Sequence, residues 1–214
     1  MQKPIITPAQ AIAKIENGMT LMIGGFLAAG SPHKILKELA ESNICNLTII
    51  CNDTAFPDRG IGLLIAAKKV KKVITSHIGT NPLTIEQFNN QETEVIFVPQ
   101  GTLAEQVRCG GAGLGGVLTP TGLGTVVADG KQVITLDGKE YLLEKALRGD
   151  IALLGATIAD TAGNLHYKGT TQNFNPLMAM ACDLVIAEVE EIVPAGEIPM
   201  ENVHTQGVLV DFIV

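Results

Sequence analysis

Short apolar runs alternate with amphipathic stretches through the first half of this chain, and no other feature restricts its fold as much. Thr20–Ile23, Asn46–Cys51, Lys72–Ser76 and Glu94–Val98 read as strands. Pro32–Glu41, Gly60–Lys69, a segment opened by Asn81-Pro82, and Thr102–Arg108 read as the helices between them. Leu47-Thr48-Ile49-Ile50 is almost continuously apolar, as expected where both faces of a sheet are covered. Such repetition specifies an α/β fold: a mostly parallel open sheet with helices on both faces. A short amphipathic helix over Thr7–Glu16 precedes it.

The alternation breaks at residues 110–124, which hold seven glycines. Gln132–Leu136 and Tyr141–Glu144 flank Asp137-Gly138, a hairpin turn signal. The segment 110–147 is therefore expected to be a glycine-rich loop plus a small β-hairpin insertion. Strands resume at Asp150–Ala156, followed by a turn at Asp160–Asn164 and a helix opened by Asn175-Pro176. Leu184–Val189 and Val208–Val214 complete the sheet, and a single domain is expected over 1–214.

Of the 214 residues, 46% are hydrophobic and 17% charged, so part of the apolar surface is expected to be hidden against a partner subunit. A net charge of −7 argues against nucleic-acid or anionic-membrane partners, which need basic patches. The one basic cluster, Lys68-Lys69-Val70-Lys71-Lys72, reads as a solvated helix end. The apolar stretch Met19–Gly30 is too short and too rich in glycine to span a bilayer, and the N-terminus has no secretory pattern. Cys45, Cys51, Cys109 and Cys182 form no C-x-x-C pair, so no metal site is expected, and a cytoplasmic location with reduced thiols follows.

The segment from Asn17 to Pro32 reads as turn, buried strand, glycine loop and helix start. Gly24, Gly25 and Gly30 allow backbone conformations closed to other residues. Ser31 is expected to cap the next helix, with Pro32 in its first turn. A loop of this kind presents unpaired N–H groups at a helix N-terminus to an anionic or carbonyl-bearing ligand. Its G-G-x-x-x-x-G spacing is neither the dinucleotide fingerprint nor a P-loop.

Ligands of open parallel sheets bind at the carboxyl ends of the strands. The residues expected there are Gly24–Leu27, Cys51–Thr54, Ser76–Gly79 and Pro99–Thr102. Gln100 follows a buried strand, where an amide can donate to a developing oxyanion or, equally, cap the next helix or pair with loop backbone. Asn52 and Asp53 have the same two readings, pocket or turn. His77 is the one histidine placed near the pocket, and a hydrogen-bonded loop histidine is its more ordinary reading. No nucleophile with an adjacent base is legible, and Cys109 reads as a small buried residue.

These motifs together resemble the α subunits of the class I (3-oxoacid) CoA-transferases, and within them the branch acting on acetate, butyrate and acetoacetate. The resemblance rests on Asn17-Gly18, Gly24-Gly25-Phe26, Gly30-x-Pro32, Asn52-Asp53-Thr54 and Ser76 through Pro82. It continues with Val98 through Thr102, Arg108 through Gly116, Thr119 through Gly122 and Asn173-Phe174-Asn175-Pro176. It implies transfer of coenzyme A between an acyl-CoA and a free carboxylate by a ping-pong route. The attacking glutamate would lie on a companion β subunit in an α2β2 assembly. The loop Gly24, Gly25, Phe26, Leu27, Ala28, Ala29 and Gly30 would contact CoA, which is a substrate and no permanent cofactor. Gln100 would support the oxyanion, with Asn52 and Gly101 in the substrate pocket. Two rival functions are a sugar-phosphate isomerase with a related core and a non-catalytic acyl-CoA-binding module. Glu16-Asn17-Gly18 repeats part of the β-subunit nucleophile motif but precedes the first strand and reads as a turn. Glu188, Glu190 and Glu191 read as a solvated or intersubunit carboxylate cluster.

Overall fold

The computed structural model describes residues 2–214. In chain order the elements are α1 (Pro8–Ile12), β1 (Thr20–Ile23), α2 (His33–Glu41), β2 (Leu47–Ile50), α3 (Gly62–Ala66), β3 (Val70–Thr75), α4 (Pro82–Asn89) and β4 (Glu94–Phe97). They continue as α5 (Gln100–Gly111), β5 (Gly116–Thr119), β6 (Val133–Leu136), β7 (Lys139–Lys145), β8 (Gly149–Asp160), β9 (Leu165–His166), α6 (Asn175–Ala181), β10 (Cys182–Val193) and β11 (Phe212–Ile213).

The main sheet has the order β11-β10-β8-β1-β2-β3-β4, and every pair along it is parallel. Only β9 is antiparallel, folded back on β8 through the turn expected at Asp160–Asn164. Alternate strand residues serve opposite layers. Leu21 and Ile23 of β1 join Ile35, Leu36 and Leu39 of α2 and Leu64 and Ile65 of α3 in one core. Met22, between them, faces Leu103 and Val107 of α5 and Met178 of α6 in the other. The period-two geometry of a strand makes this division, and it explains why Leu21, Met22 and Ile23 are apolar without interruption.

Several boundaries differ from expectation. Helix α1 ends at Ile12, although the capping box between Thr7 and Gln10 forms. After it the bonds tighten, Lys14 donating to the Ala11 carbonyl and Ile15 to that of Ile12, and the chain leaves for β1 with Ile15 still buried. Helix α3 is confined to five residues. Helix α5 runs through Gly110 and Gly111, where a Cβ would lie 1.9 Å from the Leu147 carbonyl and 2.5 Å from Met180 Cβ respectively. The missing side chains let α5 pack closely against its neighbours. The insertion contains the hairpin at Asp137-Gly138, with φ of 50° and 73°, but it is a three-stranded antiparallel sheet. Its additional strand, β5, arises inside the glycine-rich stretch and pairs with β7. Val208–Val214 yields only the two-residue β11, because Gly207–Leu209 forms a 3-10 turn.

Candidate active site

Connections from β1 lead one way to β2–β4, whereas β8, beside β1 on its other edge, leads to β10 and β11. This change of direction at β1/β8 opens a crevice at the strand ends. The loop after β1 lies there, with the Gly24 N–H donating to the Leu153 carbonyl of β8 at 3.0 Å. Phe26 and Ala29 exchange two backbone bonds of 2.9 Å around a tight turn. Its central residues, Leu27 (φ 50°) and Ala28 (φ 74°), are both left-handed. That conformation costs an L-residue roughly 1–2 kcal/mol and usually falls to Asn-Gly.

Distant side chains hold the turn. The Leu27 N–H donates to Asp53 Oδ2 at 3.0 Å, and the Gly25 N–H to Asn173 Oδ1 at 3.1 Å. Asn173 Nδ2 donates to the Ala29 carbonyl at 3.1 Å, and Asn175 Nδ2 to that of Gly30 at 3.0 Å. Glycine at 24 is obligatory, since a Cβ would stand 1.7 Å from Asn175 Oδ1.

These bonds overturn two expectations. The loop does not present a row of free N–H groups, because those of Gly24, Gly25, Phe26, Leu27, Ala29 and Ser31 all bond within the protein. Nor does Ser31 cap α2. Its hydroxyl donates to the Gly24 carbonyl at 2.9 Å, and the cap comes from Glu188 in the middle of β10. The Glu188 carboxylate accepts from Lys34 N at 3.0 Å and Ile35 N at 2.9 Å. Glu188 is therefore a buried structural group and not part of a solvated cluster, whereas Glu190 and Glu191 are exposed. Within the loop, Gly24, Gly25 and Ala28 are buried and Leu27 and Gly30 half-buried, while Phe26 (41% exposed) and Ala29 face outward. The buried positions fix the shape, and the outward ones can meet a ligand.

Asn52, Ser76 and Gln100 follow β2, β3 and β4, and the parallel register brings all three together. Gln100 Nε2 donates to Asn52 Oδ1 at 2.7 Å, and Ser76 Oγ donates to Gln100 Oε1. Ser76 Oγ also lies 2.8 Å from the Asn52 carbonyl. Helix α5 takes Pro99 as its N-cap, so the Gln100 side chain is not a cap. One N–H of its exposed amide has no partner among the described residues. Gly101 is also exposed and lines a groove of about 300 Å³ against β5 with Thr102, Glu105 and Thr119.

The remaining candidates fall outside this cluster or are chemically quiet. His77 is exposed and makes a backbone bridge with Asp53. Cys109 is buried, and burial pushes the Cys51 and Cys182 thiols up, Cys182 to about 12. Glu16-Asn17-Gly18 forms the expected turn, at the opposite end of β1, with Asn17 Oδ1 accepting from Cys45 N at 2.8 Å. Sequence reasoning gave no loop-bracing role to Asn173 and Asn175. Their partners lie about 145 residues away, and no local pattern announces such a contact.

The sequence matches the family model described as Coenzyme A transferase over residues 5–214. This chain belongs to the coenzyme A transferase family. It is 51% identical over 214 residues to the acetate CoA-transferase subunit alpha of Escherichia coli (strain K12), covering 100% of this chain and 97% of that protein. It is 54% identical over 199 residues to the acetoacetyl-CoA:acetate/butyrate CoA transferase alpha subunit of Clostridium acetobutylicum, covering 93% and 91%. The fold matches that of an acyl-CoA transferase from Escherichia coli O157:H7, solved as a thioester complex with CoA. There the TM-score is 0.87 at 24% identity, over 100% of this chain and 47% of that one. As a member of this family the chain is part of a CoA-transferase, and the sugar-phosphate isomerase reading is set aside.

Proposed function

We propose that this chain is the α subunit of a short-chain acyl-CoA:acetate/acetoacetate CoA-transferase. In this reading a glutamate of a β subunit attacks the acyl-CoA thioester. An acyl–glutamyl anhydride forms as CoA thiolate leaves. The thiolate then attacks the glutamyl carbonyl, releasing the acid and leaving a glutamyl-CoA thioester. A second carboxylate runs the sequence backwards. The α chain contributes the wall of the pocket, and two α and two β chains make the enzyme. CoA enters as substrate, and the enzyme works in the cytoplasm.

The observation that carries this reading is the geometry around Gln100. Both tetrahedral steps develop negative charge on a carbonyl oxygen, and an immobilised donor aimed at that oxygen lowers the barrier. Asn52 and Ser76 immobilise the Gln100 amide and leave one N–H free. Asp53, the carboxylate next to Asn52, has both oxygens committed to backbone N–H groups, consistent with a nucleophile from another chain. Phe26 and Ala29 offer an apolar surface for the arm of CoA, whose binding energy can drive the chemistry of a weak carboxylate nucleophile.

Co-expression of this chain with its β partner tests the reading. Gln100→Ala should cut turnover with acetoacetate and acetyl-CoA about 10²-fold, a typical loss for one oxyanion donor, with the melting temperature unchanged. Near-normal turnover would return Gln100 to a loop role. The isolated α chain should transfer no CoA. Transfer by pure α chain would refute the two-chain mechanism, and an αβ complex that binds acyl-CoA without transfer would favour a binding module.

A further inference from the structure

Asp53, read from the sequence as a pocket or turn residue, is 3% exposed and joins the loops that follow β1 and β2. Its Oδ1 accepts from Ala55 N at 2.7 Å, within its own loop. Its Oδ2 accepts from Leu27 N at 3.0 Å, across to the loop after β1. The neighbouring Asn52 holds Gln100. Adjacent residues at the end of β2 thus fix the glycine loop on one side and the amide donor on the other. Only a double acceptor can serve here, because both partners are N–H groups.

The loop that Asp53 reaches needs holding. Leu27 and Ala28 are left-handed residues with a side chain, and no proline or Asn-Gly presets the turn. Ala28 packs against the loop after β2, where a Cβ on Gly60 would be 3.0 Å from its own. Because Phe26 and Ala29 close this turn with their backbone bonds, relaxation at Leu27-Ala28 would move Phe26.

We propose that Asp53 is a positioning residue for acyl-CoA: its carboxylate clamps the left-handed Leu27-Ala28 turn and thereby sets the spacing between Phe26 and the Gln100 amide. The proposal rests on the reading that the glycine loop contacts acyl-CoA. Asp53→Asn preserves shape but forces an amide NH2 against one of the two N–H donors. Asp53 would then act through the loop, touching no reacting atom.

The test uses the αβ enzyme with acetyl-CoA and acetoacetate. Asp53→Asn should lower kcat/KM about tenfold, mostly through the KM for acetyl-CoA, as expected for loss of one charge-assisted hydrogen bond. Adding Ala28→Gly, which makes a positive φ strain-free, should recover most of that loss. An unchanged kcat/KM in Asp53→Asn, or a loss that Ala28→Gly does not repair, would overturn the clamp. Gly25→Ala separates the two claims. If it leaves the acetyl-CoA KM unchanged, the loop is not the acyl-CoA site and the underlying reading fails. If it raises that KM while Asp53→Asn does not, the clamp alone fails. Should Asp53→Asn not assemble, hydrogen exchange in the unaltered enzyme decides. The Leu27 N–H should be protected about 10²-fold or more against a free amide, and rapid exchange would refute the clamp.

Discussion

Helices α4 and α2 meet the same physical need in opposite ways. Each must satisfy the unpaired N–H groups of its first turn. In α4 the supplier is local: Asn81 Oδ1 accepts from Leu83 N at 3.1 Å and Thr84 N at 3.3 Å, with Pro82 in the first turn, while its Nδ2 donates to the Thr54 carbonyl at 2.9 Å. In α2 the local letters Ser31-Pro32 promise the same arrangement, yet Ser31 turns back to Gly24 and Glu188 caps from 153 residues away. The difference follows from position. Beside the crevice, short polar side chains hold the loop, and the helix start is left to a distant strand. A second pair repeats the lesson, since Asn175-Pro176 spells the same start as Asn81-Pro82 but Asn175 caps nothing. Its Nδ2 reaches the carbonyls of Thr171 at 2.8 Å, Gly30 at 3.0 Å and Gly155 at 3.2 Å.

This contrast can be broken or sharpened by substitution. Asn175→Ala is expected to have the largest effect, about 3 kcal/mol of stability in denaturant unfolding, because it orphans buried carbonyls. It should also raise the KM for acyl-CoA, since it loosens Gly30. Glu188→Ala should cost about 2 kcal/mol, the upper end for a cap, because it frees two N–H groups at once. Asn81→Ala should cost about 2 kcal/mol, a cap plus the buried Thr54 carbonyl that its Nδ2 serves, and should lower turnover per folded molecule less than Asn175→Ala does. If Asn81→Ala lowered turnover while Asn175→Ala did not, the division between local caps and loop braces would be wrong.

The smallest effect belongs to Asp160, which organises the β8–β9 turn. Burial alone would raise its pKa, but hydrogen bonds from the Asn164 side chain and the N–H groups of Asn164, Gly196 and Ala162 outweigh it and hold the carboxyl below the usual range. A depressed folded-state pKa contributes stability above the ordinary carboxylate value of about 4 and loses it as pH falls through the folded value. Acidification below about pH 4 should therefore lower the melting temperature of the wild-type chain more than that of Asp160→Asn.

What the sequence revealed and what it hid follow the same line. The strands and the strand-end placement of Asn52, Ser76 and Gln100 were legible, because period and position along the chain determine them. The Asn81 cap and the Asp137-Gly138 turn were legible as local chemistry. Strand β5 was hidden because its glycine-rich surroundings read as loop, and its pairing with β7 is a tertiary choice. The roles of Glu188, Asn173 and Asp53 were hidden because each is defined by a partner in a different part of the chain. The left-handed Leu27 and Ala28 carry no compositional mark at all.

The position of β8 has a consequence for how this protein is made. Strand β1 is central in the finished sheet, but its neighbour on one side is synthesised about 130 residues later. At ribosomal speeds of about 5–20 residues per second, that edge stays unpaired for roughly ten seconds. The nascent chain would carry Leu21, Met22 and Ile23 on an open ladder throughout that interval. Rare codons between β4 and β8 should therefore lower soluble yield, and holdase chaperones should matter most while the glycine-rich insertion is being translated.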